Sequence, residues 1–361
     1  GGAGAPALEP PIASPDKPLP AGPSLGASQA EAAPEVNVGA PSEPQASAPP
    51  TNNPGKRPQH DPPWPEQWRS DTTVDRCLAN DCDPIDLPPQ PELTFLEELA
   101  GGWHRFMEAD WALAPTSEGY RCMKLTLPHD VYIVAFSHIS PPGTHHASFG
   151  ITDRSEPDGV YACAPGVGGT RSLQGSGAGG GAFELPASVA MHLRAGEQVT
   201  MNLHLFNATD EILTGRSGLR IKTVPRDMVR HEASSLVAGA APLMVPPGRS
   251  LQRGGCTFDQ DATLFSVGPH MHQLGVYMRI QAKTADGLQT LHEGPFDFYH
   301  QVHYPIAPLS LQAGDRIEVE CTYENPTDRT VMLGDGSLDE MCFVFLGMYP
   351  AVTHKGFPCV R

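Results

Sequence analysis

The sequence predicts an all-β chain of antiparallel β-sandwiches that follow a disordered tail. Three observations lead to this prediction: an N-terminal stretch without aromatic residues, many short segments rich in β-branched and aromatic residues, and clusters of Gly, Pro and Asp between those segments. Short strands separated by turns are typical of antiparallel sandwiches, whereas βαβ units need helical patterns between the strands.

Residues 1–92 are predicted to form a disordered linker. Residues 1–63 contain no Phe, Trp or Tyr and are rich in Pro, Ala, Ser, Gly and Glu. Such a segment cannot bury enough apolar surface to offset the entropy lost on ordering. In the transitional stretch 64–92, the proximity of Cys77 and Cys82 suggests a short disulfide-closed loop. Because the chain starts at Gly1, we expect that a leader has been removed and that the tail acts as a spacer or an envelope tether.

The folded region is predicted to begin near Leu93. The segment TFLEELA (94–100) predicts one short helix. Later segments alternate or are rich in β-branched and aromatic residues, which predicts strands at 124–128, 131–139, 199–207, 277–284, 316–324 and 341–349.

Two further stretches predict a loop and a domain boundary. GSGAGGGA (175–182) predicts a loop, and it lacks the Lys and the following helix of a phosphate-binding loop. The Pro-containing stretch 224–248 predicts a boundary between two halves of similar size, 93–228 and 229–361.

Charge and cysteine content restrict the class of protein. The net charge is −17 and no basic patch is apparent, which argues against nucleic acid and anionic membranes as partners. No apolar run approaches the roughly 20 residues of a membrane-spanning helix. The eight cysteines contain no CxxC, so we expect disulfides and a secreted, periplasmic or cell-envelope location. The sequence alone leaves the disulfide pairing open.

Three histidines in the first half are candidate metal ligands. His145 and His146 are adjacent, so both can reach one ion only at a strand end or a bulge. The preceding Pro-Pro-Gly predicts a strand start there. His204 lies in the alternating segment MNLHLFNATD, and taken alone it is better explained as a hydrogen-bonded histidine of a half-buried strand.

The second half contains a different set of candidate ligands. His270 and His272 in GPHMHQLG are two residues apart, so both imidazoles lie on one face of a strand as a chelating pair, unless the strand is merely His-rich and exposed. Met341 shares a strand face with Phe343 and Phe345, and taken alone it would be a core residue. Imidazoles with one thioether suit copper, whereas zinc seldom takes a thioether and iron oxygenases prefer two histidines and a carboxylate.

The motifs HH, LHLF, HMHQLG and DEMC, in this order, resemble the copper type II, ascorbate-dependent monooxygenases over about residues 94–361. RCMKLTLP (121–128) also resembles an early strand of that family. The resemblance implies two jelly-roll-like domains with one copper ion each, and hydroxylation of an activated C–H bond with O2 and a reductant such as ascorbate. The substrate would be a small or peptide-like molecule.

The resemblance also assigns residues. It implies an electron-transfer copper on His145, His146 and His204, and an oxygen-activating copper on His270, His272 and Met341. The implied disulfides are Cys122–Cys163, Cys256–Cys359 and Cys321–Cys342.

The sequence departs from the peptide-amidating members of the family at the positions that hold the peptide carboxylate. At these positions those members have Arg and Tyr, where this chain has Gly268 and Phe345; separately, an Asn of those members is Phe343 here. Phe cannot donate a hydrogen bond and Gly has no side chain, so we expect a more apolar or aromatic substrate. Four other histidines near the motifs are expected to line a pocket, support a ligand or pack at the surface, and not to bind metal: His129, His138, His300 and His303.

Two other classes of function remain open from the sequence. One is a copper-binding or redox-carrier protein without hydroxylase activity. The other is a structural or adhesive β-sandwich on a Pro-rich stalk, with histidines at its surface. A zinc hydrolase is disfavoured, because no Glu or Asp is placed as a general base beside a three-ligand set.

Overall fold

The computed structural model describes residues 95–152, 156–163, 171–177, 181–207, 209–298, 300–336, 338–351 and 359. All of them belong to one compact unit, Pro62–Arg361. The predicted tail and the predicted Cys77–Cys82 loop lie outside these residues. Within them, the secondary structure is β-strand with two short 3₁₀ turns and no α-helix, and no helix is long and apolar enough to cross a membrane.

The strands before residue 226 form two facing sheets. Their bounds are β1 (Glu97–Glu98), β2 (His104–Leu113), β3 (Ser117–Thr126), β4 (Val131–Ile139), β5 (Thr144–Thr152), β6 (Gly159–Ala162), β7 (Arg171–Gly177), β8 (Ala182–Glu184), β9 (Val189–Leu193), β10 (Gln198–Asn207) and β11 (Leu213–Thr223). One sheet has the order β1-β2-β11-β4-β9 with β8 beside β4, and the other has the order β6-β3-β10-β5-β7. Their inner faces enclose a core that includes Met107, Trp111, Phe149 and Leu203.

The remaining strands enclose a second core. Their bounds are β12 (His231–Gly239), β13 (Met244–Val245), β14 (Gly248–Thr257), β15 (Ala262–Met271), β16 (Gly275–Thr284), β17 (Gly287–Pro295), β18 (Tyr304–Leu311), β19 (Arg316–Asn325), β20 (Val331–Met332) and β21 (Cys342–Tyr349). The order β12-β21-β15-β18 lies opposite β14-β19-β16-β17, and β13 pairs with β20. Burial alternates strictly along β19, as expected of a strand with one face on a core.

One sheet runs through both halves of the chain. Strand β12 pairs in parallel with β9 from His231 to Ala233 and in antiparallel fashion with β21 from Ser234 to Gly239. It lies within the stretch 224–248 that the sequence marked as a boundary. The two halves are therefore joined by backbone hydrogen bonds.

The predicted strands are confirmed, and three other local predictions are corrected. TFLEELA does not form a helix: Leu96 has a positive φ of 53°, and Glu97 pairs in register with Arg105, to which it is also ion-paired. The predicted loop 175–182 is wrong at its start, because residues 175–177 complete β7 and pair with β5. Strand β10 is buried almost throughout, not half-buried, because it lies between β3 and β5 and packs into the first core.

The three disulfides implied by the family resemblance are confirmed. They join Cys122 to Cys163, Cys256 to Cys359 and Cys321 to Cys342. The last of these connects β19 to β21 and so ties together the two sheets of the C-terminal half at the strand that follows Met341.

The same buried asparagine turn ends one central strand in each half. Asn207 donates to the carbonyls of Ala114 and Glu211 at 2.8 Å and accepts hydrogen bonds from Thr209. At the end of β19, Asn325 donates to the carbonyls of Val245 and Arg329 and accepts from Thr327. Both amides replace backbone partners that a turn cannot supply.

We expect Asn207→Ala and Asn325→Ala each to lower the free energy of unfolding by about 3 kcal/mol, because each leaves several buried backbone groups without a partner. Urea unfolding measures this change. Thr290→Ala, at an exposed hydroxyl of β17, is the control and should stay within about 0.5 kcal/mol of the wild type. Asparagine variants that unfold at the same urea concentration as the control would show that the turns do not stabilise the fold.

Candidate metal centre

The first three histidines meet at the start of β5. Pro141-Pro142-Gly143 leads into this strand, and Trp111 packs against Gly143, whose φ is +96° and whose added Cβ would lie 2.6 Å from the indole. His146 is the register partner of His204 on β10, and the pairing shifts directly after His204. The ring centroid of His204 is 4.4 Å from that of His145 and 4.9 Å from that of His146. The predicted strand start and irregular pairing thus bring three imidazoles together.

The second set forms where β15 ends beside β21. His270 is in β15, His272 directly follows the strand, and their ring centroids lie 5.3 Å apart. Met341 directly precedes β21, which pairs with β15 as far as the partners Met271 and Cys342. Met341 is half-buried, whereas Cys342 and the following Val344 are fully buried in the second core.

Glu340 holds the second set in place. Its fully buried carboxylate accepts the backbone N–H groups of His272 at 3.0 Å, Leu274 at 2.6 Å and Met341 at 3.2 Å. One side chain therefore fixes the backbone on both sides of the site.

The imidazoles of the two sets form one continuous cluster. The ring centroid of His145 is 5.9 Å from that of His272. The ring of Phe298 lies against both, with centroid distances of 4.6 Å to His145 and 6.4 Å to His272. The sequence predicted two sets in separate halves but not that they would face each other.

Hydrogen bonds fix which ring nitrogen of each histidine remains available. His270 donates from Nδ1 to Oε1 of Gln301 at 2.7 Å, and His272 donates from Nδ1 to the carbonyl of Asp339 at 3.0 Å. His204 contacts the carboxylate of Glu118 through Nε2. In the described part of the chain, Nε2 of His272 and Nδ1 of His204 are buried without a hydrogen-bond partner. Each ring thus keeps one nitrogen lone pair for a ligand.

The spacing within the first set fits a shared cation. Nδ1 of His145 lies 3.1 Å from Nδ1 of His146, and one ring nitrogen from each of the three histidines lies within 4.8 Å of the others. Imidazole nitrogens bind metals such as zinc at about 2.0 Å, so two nitrogens that share one ion lie roughly 3–4 Å apart. Nε2 of His145 is also buried without a partner among the described residues.

Burial keeps four of the five imidazoles neutral. It lowers the pKa of His145 and His146 well below the usual value, and neighbouring histidines add to the effect. Burial also lowers the pKa of His272 to about 3 and lowers that of His270, although the Gln301 hydrogen bond opposes the latter shift. Neutral imidazoles are the form that binds metal, so the cluster is ready to bind metal at neutral pH.

The other histidines differ in their surroundings. His129 and His300 are exposed. His138 is buried, and burial together with the charge of His303 lowers its pKa to about 3. His303 covers Gly268, since a Cβ built on that glycine would lie 2.7 Å from Cε1 of His303, and the same ring is 6.1 Å from that of Phe345.

Several residues of the site carry no motif in the sequence. Tyr120 stacks on His204 at a centroid distance of 4.2 Å and donates its hydroxyl to the carbonyl of Asp335. Glu118, Gln301 and Phe298 were also missed. Glu118 and Tyr120 alternate just before RCMKLTLP and so share a strand face. Phe298 and Gln301 lie in PFDFYHQVHYP (295–305), whose density of His and aromatic residues indicates a pocket or a second layer around a ligand.

The fold and this cluster define a β-sheet protein in which imidazoles from both halves of the chain meet in one candidate metal centre. Residues 235–359 match the model of a protein family described as copper type II ascorbate-dependent monooxygenase, C-terminal domain. This match confirms the family resemblance over residues 235–359. His270, His272 and Met341 lie inside the matched range, whereas His145, His146 and His204 precede it.

We expect Glu340→Ala to lower the free energy of unfolding by about 3 kcal/mol or more, because three buried N–H groups lose their acceptor. The same change should weaken metal binding by the second set, since His272 and Met341 are no longer held together. Urea unfolding and metal analysis of copper-loaded protein measure the two effects. Glu184→Ala, at a side chain that is 66% exposed, is the control. Wild-type stability in Glu340→Ala would contradict this role.

Proposed function

We propose that this chain is a copper-dependent monooxygenase that hydroxylates an activated C–H bond of a small or peptide-like substrate, using O2 and an external reductant such as ascorbate. The observation that carries the proposal is the cluster of five imidazoles, four of which burial keeps neutral and two of which lie in the matched monooxygenase domain. The donor set supports copper, because imidazoles with one thioether suit both of its oxidation states.

Two copper sites are proposed. His145, His146 and His204 would hold the copper that transfers electrons, and His270, His272 and Met341 would hold the copper at which O2 reacts. Copper bound in these sites would cycle between Cu(I) and Cu(II) and supply electrons for O2 reduction. Three protein ligands leave a coordination position open, as catalytic metal sites require.

Residues around the two sets hold the proposed copper ligands in position. Glu340 fixes the backbone of His272 and Met341, and Gln301 orients His270. Phe298 packs beside His145 and reaches His272, so it adds a buried apolar side chain where the two sets meet. The 5.9 Å separation of those two imidazoles would provide a short route for an electron.

We also propose a division into two tandem jelly-roll-like domains at 93–228 and 229–361. Two separate hydrophobic cores and the repeated asparagine turns support it. The three disulfides are typical of an oxidising compartment and support export to the exterior, the periplasm or the cell envelope, with the Pro-rich residues 1–92 as a spacer or tether.

The side chains beside His270 favour an apolar or aromatic substrate and argue against binding of a peptide carboxylate. An arginine at position 268 would collide with His303, whose ring occupies that space. Phe345 lies 5.7 Å from His270 by ring centroids, where a tyrosine hydroxyl would be needed to donate to a carboxylate.

We expect Met341→Ile to abolish ascorbate-dependent hydroxylation while the first set keeps its copper, because only the thioether of the second set is removed. Mass spectrometry of products from a panel of small arylalkyl compounds measures activity, and metal analysis measures copper. Met332→Ile, at an exposed methionine of β20, is the matched control. Full activity in the Met341 variant would refute the assignment.

Wild-type protein should bind two copper ions, and His270→Ala should reduce this number to about one, since each set binds on its own. His129→Ala, at an exposed histidine, should still bind two. A wild-type chain that binds no copper after reconstitution would favour a structural β-sandwich. Copper binding with O2 consumption but no hydroxylated product would favour a redox carrier.

A further inference from the structure

The hydrogen-bond partners of the proposed ligands differ in charge between the two sets. In the first set, the carboxylate of Glu118 contacts Nε2 of His204. The side chain of Glu118 is 6% exposed and that of His204 is fully buried. Strand register places Glu118 there, since β3 and β10 pair Tyr120 with His204 and Glu118 with Phe206. Glu118 is thus the diagonal cross-strand neighbour of His204 on the same face of the sheet.

The ring of His204 has little freedom to leave this contact. Tyr120 stacks on it with an interplanar angle of 8°, and the tyrosine hydroxyl is itself held by the carbonyl of Asp335 at 3.0 Å. The ring edge that carries Nε2 faces Glu118, and the opposite edge presents Nδ1, a buried atom that lacks a hydrogen-bond partner in the described structure.

In the second set, the groups that accept hydrogen bonds from the imidazoles are neutral. Gln301, which is buried, accepts from His270 through its amide oxygen and is held in turn by donating to the carbonyl of Phe298 at 2.9 Å. The acceptor for Nδ1 of His272 is the main-chain carbonyl of Asp339. These two acceptors carry no net charge. Glu340 also brings a buried carboxyl to the second set, but its hydrogen bonds in the described structure are to the backbone N–H groups of His272, Leu274 and Met341 and not to an imidazole.

A carboxylate behind an imidazole has a different effect on a bound metal from that of an amide or a carbonyl. It draws the ring proton towards itself, which makes the opposite nitrogen a stronger donor and stabilises the more highly charged metal ion. A neutral acceptor orients the ring but adds no negative charge. In a buried site the difference is large, because charges are poorly screened.

We infer that Glu118 is a positioning residue that gives the first copper a lower reduction potential than the second, and so sets the direction of electron transfer. This inference rests on the proposed function. With copper bound, the first set would give up one electron as its metal goes from Cu(I) to Cu(II), and that electron would be consumed in the reduction of O2 at the second set. An external reductant of the ascorbate class replaces it. The proton on Nε2 of His204 stays in its hydrogen bond to Glu118.

The first test uses the metal-free protein. Long-range ¹H–¹⁵N NMR spectra report which nitrogen of each imidazole carries the proton. We expect His204 to carry it on Nε2, and His270 and His272 to carry it on Nδ1. A proton on Nδ1 of His204 would overturn the inference, since the carboxylate would then not support a metal-binding nitrogen.

The second test measures copper affinities of Glu118→Gln in the full chain, by competition with chelators of Cu(II) and of Cu(I). We expect Cu(II) to bind the first set about 10- to 100-fold more weakly, while Cu(I) affinity changes little. A tenfold difference corresponds to a rise of about 59 mV in the reduction potential of a one-electron couple. Glu118→Asp retains the charge and should give an intermediate value.

Gln301→Glu is the reciprocal variant. It places a carboxylate behind His270 and should strengthen Cu(II) binding by the second set without affecting the first. Circular dichroism establishes that each variant is folded. If wild type binds two copper ions and Glu118→Gln leaves the ratio of Cu(II) to Cu(I) affinity unchanged, the inference fails while the proposed function stands. If the first set binds no copper in wild type, both fail.

Discussion

Burial of the imidazole cluster is the constraint on which the site depends. A buried polar atom without a hydrogen bond costs about 1–3 kcal/mol, and the described residues include three such ring nitrogens, on His145, His204 and His272. Burial also lowers the pKa of His145 and His272, so these two rings stay neutral where exposed histidines begin to take up protons. The fold therefore keeps lone pairs free at some cost in stability, and bound metal would recover that cost.

The cluster exists because one sheet continues through both halves of the chain. Strand β12 pairs with β9 on one side and β21 on the other, and β21 in turn positions the end of β15. The imidazoles of the second half thereby come to face those of the first. Glu340 then makes the local arrangement specific, because one carboxylate holds the backbones of His272 and Met341.

Much of the fold could be predicted from the sequence where the pattern is local. Alternation predicted β4 and β19 closely, and Pro-Pro-Gly correctly predicted that the histidine pair starts a strand. The helix predicted at 94–100 was wrong, because Leu96 adopts a positive φ and Glu97 pairs across to Arg105, neither of which is visible in helix propensity.

The candidate site could be predicted only in part. Its proposed ligands carry recognisable spacings, but the residues behind them depend on contacts far apart in sequence. Glu118 reaches His204 across 86 residues, and Gln301 reaches His270 across 31. The meeting of the two sets likewise follows from the pairing of β9 with β12, a long-range contact that no local pattern encodes.

The most direct test of the central claim is anomalous X-ray diffraction at the copper edge from crystals of the copper-loaded protein. The account predicts two peaks, one contacted by His145, His146 and His204, and one contacted by His270, His272 and the sulfur of Met341. A second peak absent or confined to surface histidines, with the Met341 thioether packed among hydrocarbon side chains, would contradict it.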